Sequence, residues 1–190
     1  MRAASPAVKL TYDDFVLFPD DGKRHELIDG EHFVTPSPNT KHQVVCGNLY
    51  WLLRSQLQQH PLGRVFFAPF DVVFSAFDVV EPDLLHMSHD RARTILTDAN
   101  VQGVPELVVE VASKSTRKRD ETIKRRLYAR TGVSEYWVID PVIEVVRLYR
   151  RTGEGFARPI ELSREAADTL STPLLPGFAA SLDEVFTASA

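Results

Sequence analysis

Two acidic residues in the middle of the chain have the surroundings that a metal site requires. Asp83 follows Pro82 in an apolar run, and Glu110 stands among valines in the segment 107–111. A carboxylate in an apolar strand is costly unless it is paired, hydrogen-bonded or bound to metal. Carboxylate oxygens are ligands that suit Mg²⁺ or Mn²⁺. We therefore predict that Asp83 and Glu110 bind one of these ions.

A lysine on the segment after Glu110 has the spacing to reach the same acids. Asp120, Lys124 and Tyr128 recur every four residues and would share one face of a helix. That face would hold Lys124 over the strands, with its charge directed at the carboxylates. Two roles remain open for Lys124: a catalytic group, or a structural ion-pair partner that neutralises Glu110.

The strand that carries Glu110 is predicted to have two different faces. Side chains alternate along a strand, so Leu107, Val109 and Val111 face one way, while Glu106, Val108 and Glu110 face the other. Glu110 is therefore flanked by apolar neighbours near the end of the strand.

Apolar patterning predicts the elements around this strand. Runs of apolar and β-branched residues predict strands of one buried sheet at 65–74, 79–87 and 107–111. Helical spacing predicts helices over 41–59 and 117–131, the second ending at Gly132. Two capping boxes, Thr11 with Asp14 and Ser181 with Glu184, predict short helices. We interpret Trp51 as a core residue and His42 as a surface residue at a helix start.

Composition limits the class of protein. A length of 190 residues, with 44% hydrophobic residues, suits one domain over 1–190. The single cysteine, Cys46, favours a reducing compartment, and no apolar run is long enough for a membrane span. We therefore expect a cytoplasmic protein. A net charge of −4 means that any contact with nucleic acid must come from a local basic patch.

Several ordered segments carry a family resemblance. They are HELIDGE (25–31), PSPNTKH (36–42), APFDV (68–72), VEPDL (80–84), GVPELVVEVASKST (103–116) and GVSEYWVIDP (132–141). Together they resemble the PD-(D/E)xK nuclease superfamily and, more closely, a bacterial family of restriction-endonuclease-like proteins. The resemblance covers residues 11–186. It implies an α/β restriction-endonuclease-like core, with a central mixed β-sheet flanked by helices.

The resemblance also assigns roles to individual residues. Asp83 matches the family's acid after proline, and Glu110 matches the acid of the (D/E)xK element. The lysine position of that element is Ala112 here, a departure from the superfamily pattern. The family resemblance places the lysine on the next helix, which fits Lys124. Glu26 matches an acid near the N-terminus and is a further catalytic candidate that could enter the metal's surroundings.

The resemblance implies a metal-dependent endonuclease that cleaves nucleic acid, DNA in the first place, with Mg²⁺ or Mn²⁺. Arg117, Lys118 and Arg125 would contact the phosphate backbone, although a solvated helix face explains the same charges. A homodimer is also implied, with apolar strand residues in 143–162 available for pairing. Two alternatives stay open: a catalytically silent binding or assembly module, and a hydrolase of another phosphate ester.

Overall fold

The computed structural model describes residues 8–188 and shows a mixed α/β fold. The helical segments are α1 (Tyr12–Phe15), α2 (Thr40–Gln59), α3 (His89–Ile95), α4 (Arg117–Arg119), π1 (Asp120–Lys124), α5 (Arg125–Thr131) and α6 (Leu182–Phe186). The first seven strands are β1 (Arg24–Ile28), β2 (Glu31–Thr35), β3 (Gly63–Phe67), β4 (Val72–Ser75), β5 (Asp78–Val80), β6 (Leu84–Ser88) and β7 (Val101–Gln102). The others are β8 (Leu107–Val111), β9 (Glu135–Asp140), β10 (Val145–Thr152), β11 (Gly155–Phe156), β12 (Ile160–Ser163), β13 (Thr169–Ser171) and β14 (Ala179–Ser181).

A mixed sheet lies at the centre of the fold, as predicted. Its strand order is β11-β10-β9-β8-β6-β3, and β12 pairs with the free side of β10. The pair β8–β9 is parallel, whereas β8 and β6 are antiparallel. A second sheet has the order β2-β1-β5-β4-β7, and β13 pairs with β14 alone.

Within residues 63–88 the chain passes from one sheet to the other twice. The prediction that 65–74 and 79–87 each form one strand of a single sheet is wrong. The first part of 65–74 belongs to β3 and the last part of 79–87 belongs to β6, and these two strands pair in the central sheet. The remaining parts belong to β4 and β5, which pair in the second sheet. Pro69 and Pro82 lie in the two crossings, where a proline has no N–H to continue a ladder. Asp83 therefore stands where the two sheets meet.

Strand β8 separates two cores, and its predicted alternation is confirmed. Leu107, Val109 and Val111 pack in the core under α2, and Val108 joins the opposite core with Tyr128. All five residues of β8 are buried. Glu110 thus points to the side of the sheet that carries π1 and α5.

The capping predictions hold at both ends of the described range. Thr11 and Ser181 each form the reciprocal hydrogen bonds of a capping box. Gly132 ends α5 with a φ of 101°, a left-handed conformation that suits glycine. Within residues 8–188, none of the helices combines the length and apolar character needed to span a bilayer.

Trp51 is the clear error in the predicted core. Its side chain is 66% exposed. The buried stripe of α2 runs through Leu49 and Leu53, and a residue two positions from each lies on the opposite side of a helix.

Candidate active site

Four predicted site residues converge in the structure. Asp83, Glu110 and Lys124 line one cleft of about 500 Å³. Lys124 Nζ lies 2.8 Å from Glu110 Oε1 and 2.7 Å from Glu26 Oε1. Each of the four side chains is at most 5% exposed. The chain therefore collects three acids and a lysine from β1, the β5–β6 crossing, β8 and π1.

Among residues 8–188, the hydrogen bonds to the Glu110 carboxylate end on one of its two oxygens. Oε1 accepts hydrogen bonds from Lys124 Nζ and, at 2.6 Å, from the hydroxyl of Tyr128. Burial raises the pKa of Glu110, and the neighbouring charge of Lys124 only partly opposes that rise. Because both bonds end on Oε1, Oε2 is left for a ligand in the cleft.

Asp83 is bonded through both oxygens. Oδ1 accepts from Arg24 Nη1 at 2.9 Å and Nη2 at 2.8 Å. Oδ2 accepts from the backbone N–H of Val111 at 2.8 Å and lies 3.0 Å from His42 Nε2, which donates to it. Burial alone would raise the pKa of Asp83, but His42 and Arg24 hold it below its usual value.

Glu26 is the second acid that forms an ion pair with Lys124. Its Oε1 also accepts the backbone N–H of Glu81 at 3.1 Å, and its Oε2 lies 3.4 Å from Arg119 Nη2. Burial opposes its ionisation, yet Lys124 and Arg119 lower the pKa of Glu26. A charged Glu26 fixes the position and the charge of Lys124.

Local backbone geometry explains why these side chains meet. Arg24 and Glu26 are two residues apart on β1 and so project from the same face. The π-helical turn π1 inserts a wider turn between α4 and α5, a feature frequent at functional sites. Both Asp120 and Lys124, the ends of π1, are buried toward the cleft.

Several residues of the cleft were not among the predicted site residues. They are Arg24, His42, Glu81, Lys114, Arg119 and Asp120. The interpretation of His42 as a surface residue is wrong: it is 7% exposed, because its ring is held by Asp83. The two-residue spacing from Glu26 is a signal that could have identified Arg24.

The buried acids of the site outnumber its buried cations. Five buried acids (Glu26, Glu81, Asp83, Glu110 and Asp120) face three buried or half-buried cations, Arg24, Arg119 and Lys124. Among the described residues, Glu81 Oε1 and Asp120 Oδ1 are buried without a hydrogen-bond partner. Burial raises the pKa of Glu81 to about 7 and that of Asp120 to about 6. An oxygen-rich site with more acids than cations fits a divalent cation such as Mg²⁺ or Mn²⁺.

The three predicted nucleic-acid contacts lie outside this cleft. Arg117 forms an ion pair with Asp140. Lys118 is exposed and lines a neighbouring groove that shares Arg119 with the cleft. The guanidinium of Arg125 lies 5.6 Å from the ring centroid of Tyr149. Their contact with nucleic acid stays a prediction.

Comparisons with known proteins place the chain in a family. Curated proteins include none that matches it. Its fold matches a crystal structure from Anabaena variabilis, described as a putative nuclease belonging to DUF820, with a TM-score of 0.79. The two sequences are 19% identical, and the match covers 93% of this chain and 97% of the other, so it shows a shared fold. A family model described as "putative restriction endonuclease" matches residues 12–183. The chain therefore belongs to the Uma2 family of restriction-endonuclease-like proteins.

Proposed function

We propose that this protein is a divalent-metal-dependent endonuclease whose metal ligands are Asp83 and Glu110. The observation that carries the proposal is the convergence of these acids with Lys124 in one cleft, where acids outnumber cations. Membership of a family of restriction-endonuclease-like proteins supports a nuclease-like hydrolase. Mg²⁺ or Mn²⁺, bound there, would polarise the phosphate and activate a water molecule.

The protein's own groups would prepare the site for phosphodiester hydrolysis. Glu110 presents Oε2 to the cleft while Tyr128 and Lys124 fix its other oxygen. Lys124 would orient the attacking water or stabilise the charge that develops on the phosphate. Glu26 keeps Lys124 charged and in place.

Lys124 would supply the lysine that β8 lacks. Ala112 follows β8, is 1% exposed, and donates its N–H to Ile139 O at 2.7 Å. A side chain at that position is enclosed by the core. Lys124 reaches Glu110 from π1 instead. The geometry thus supports an active site with a relocated lysine over a catalytically silent module.

We further propose that the substrate is nucleic acid, with DNA first, and that the protein is a homodimer. Exposed Lys114 and half-buried Arg119 line the cleft and could meet a phosphate backbone. Exposed Lys118 lies beside them, and Ile160, 46% exposed, offers apolar surface in 143–162. Light scattering at high concentration tests the dimer. A mass near 21.4 kDa, that of one chain, would reject it.

A cleavage assay tests the proposed activity. Supercoiled plasmid, linear DNA and RNA are incubated with Mg²⁺ or Mn²⁺ and with wild type, Asp83→Ala or Glu110→Gln. Glu135→Gln is the matched control, because Glu135 is an equally buried acid held by Trp137 and Arg150 outside the cleft. We expect cleavage by wild type and the control only.

Two other results would each favour one of the alternative functions. Mn²⁺ binding that needs Asp83 and Glu110 without any cleavage would indicate a silent binding module. Hydrolysis of nucleotide esters without cleavage of polymers would indicate a different phosphate-ester hydrolase.

A further inference from the structure

A second cleft lies on the other side of Asp83. It has a volume of about 490 Å³ and shares Arg24, His42, Glu81 and Asp83 with the first cleft. Cys46 lines the second cleft and is absent from the wall of the first. His42 and Asp83 therefore line both clefts, with Glu110 and Lys124 in the first cleft and Cys46 in the second.

Three side chains that line the second cleft form a compact set of possible metal ligands. Cys46 Sγ lies 3.5 Å from His42 Nδ1, and His42 Nε2 lies 3.0 Å from Asp83 Oδ2. One donor atom from each residue lies within 4.8 Å of the other two. Sulfur, nitrogen and oxygen donors together are typical ligands of Zn²⁺, whereas Mg²⁺ takes oxygen.

The start of α2 fixes two of these ligands on one face. His42 and Cys46 are four residues apart, the spacing at which helical side chains lie one above the other. Asn39 caps the helix by accepting the N–H of His42 at 3.0 Å, which holds the first turn in place. Two ligands at i and i+4 on a helix are a recurring way to build a zinc site.

We propose that His42, Cys46 and Asp83 form a binding site for one soft divalent cation such as Zn²⁺. The second cleft gives the ion an open position for water or another ligand, as in zinc sites with three protein ligands. Binding would release the proton of the Cys46 thiol to solvent and form a metal–thiolate bond. If His42 binds the ion through Nε2, its ring proton moves from Nε2 to Nδ1. The site itself does not depend on the proposed nuclease activity.

A nucleophilic cysteine is the competing interpretation of the same three residues, since Cys, His and Asp also occur as catalytic triads. Burial and the nearby Asp83 carboxylate raise the pKa of the Cys46 thiol. A thiol that stays protonated is a poor nucleophile. A bound cation supplies the positive charge that a thiolate needs here, so the surroundings favour metal over covalent chemistry.

Cobalt titration of the full chain tests the site, because Co²⁺ bonded to a thiolate gives a charge-transfer absorption band. Cys46 is the only cysteine in the sequence, so this band reports one residue. Under reducing conditions we expect the band to saturate at one Co²⁺ per chain and to disappear when Zn²⁺ is added. Cys46→Ser should abolish it, and His42→Ala should weaken Co²⁺ binding at least about tenfold.

Glu110→Gln is the matched control, since Glu110 lines the first cleft only. It should leave the cobalt band unchanged even where it removes nuclease activity, so the two proposals fail separately. Circular dichroism checks that each variant is folded, and His42→Gln replaces His42→Ala if that variant unfolds. A folded wild type without a band, or a band of equal affinity in a folded His42 variant, would overturn the site.

The shared Asp83 carboxylate gives a second measurement, which rests on the proposed Mn²⁺ site. Two divalent cations held close together by one carboxylate repel each other, so we expect each to weaken the other's binding, and the effect is reciprocal. Calorimetry should show weaker Mn²⁺ binding after one equivalent of Zn²⁺ is added. The weakening should be smaller in Cys46→Ser, where Zn²⁺ acts only by competing at the Mn²⁺ site. Equal Mn²⁺ affinity with and without Zn²⁺ would contradict the inclusion of Asp83 in the soft-metal site.

Discussion

The two proposed metal ligands are held in opposite ways. Asp83 accepts four hydrogen bonds through both oxygens, from Arg24, Val111 and His42. Glu110 accepts two, both on Oε1. Cationic and N–H donors keep Asp83 ionised, whereas burial shifts Glu110 toward its protonated form. The free protein thus fixes one ligand completely and leaves the other open.

Because of this difference, metal binding has a different free-energy cost at each of the two ligands. At Asp83 the ion must replace the guanidinium of Arg24 on Oδ1, so a competing cation has to move. At Glu110 the ion must replace a proton, so solution pH enters the affinity. Substitutions near Asp83 and near Glu110 should therefore change Mn²⁺ binding in different, measurable ways.

The largest expected effect is that of Lys124→Met, which removes the charge between Glu110 and Glu26. If Lys124 serves catalysis, cleavage should fall by a factor on the order of 10²–10³ while the fold survives with bound metal. If Lys124 is only an ion-pair partner, its loss leaves two buried acids and destabilises the fold by roughly 3–5 kcal/mol. Thermal unfolding and cleavage rates are measured together.

Two further variants sharpen this test. Lys124→Arg keeps the charge but not the compact ammonium, and we expect it to rescue stability more than activity. Lys41→Met is the matched control, because Lys41 is an exposed lysine on α2 that lines neither cleft. Full cleavage by folded Lys124→Met would remove the lysine from the mechanism.

The next effect is the pH dependence of Mn²⁺ binding. The raised pKa of Glu110 means that this carboxyl holds its proton above the usual pH range of a glutamate. Below that raised pKa, each unit of falling pH should weaken Mn²⁺ binding about tenfold, or 1.36 kcal/mol per proton displaced. Calorimetry across pH, in buffers of different ionisation enthalpy, also counts the released proton. Glu110→Gln should flatten this dependence; an unchanged slope would assign the proton to another acid.

A smaller effect in the opposite direction is expected for Arg24→Gln. Removing the guanidinium from Asp83 Oδ1 should tighten Mn²⁺ binding by about tenfold, since no cation has to leave. The same change should cost about 1.5–3 kcal/mol of stability in the metal-free protein, the range for hydrogen bonds to charged groups. Weaker Mn²⁺ binding in a folded variant would show that Arg24 supports the metal site instead.

The smallest effect concerns the surface charges. Lys118→Ala should weaken DNA binding equally across sequences and reduce the salt dependence of log K by about 1. Arg125→Ala should do less, because that guanidinium already lies over Tyr149. If both variants lose the same DNA affinity in filter binding, the DNA backbone contacts the whole segment from α4 to α5.

Local signals in the sequence predicted much of the fold. The capping boxes at Thr11 and Ser181 and the alternation of β8 depend on neighbours within a few residues. The two sheet crossings were missed because an apolar run carries no mark of which sheet it joins. Trp51 was misassigned because hydrophobicity alone does not define the buried side of α2.

The site was predictable only in part, for a similar reason. A buried acid signals that it needs a partner, which pointed to Glu110 and Asp83. It does not identify the partner when that group is distant in sequence. Arg24 lies 59 positions from Asp83, and His42 lies 41 positions from it. Such pairings depend on how the two sheets meet, which no local pattern encodes.

The alternation of β8 makes the length of this strand as important as its composition. Leu107, Val109 and Val111 belong to the core, and Glu110 between them belongs to the cleft. Inserting or deleting one residue within β8 would turn every later side chain to the other face. A carboxylate would enter the α2 core while a valine filled the cleft. We therefore expect this segment to accept apolar substitutions of similar volume on its core face and no change in length.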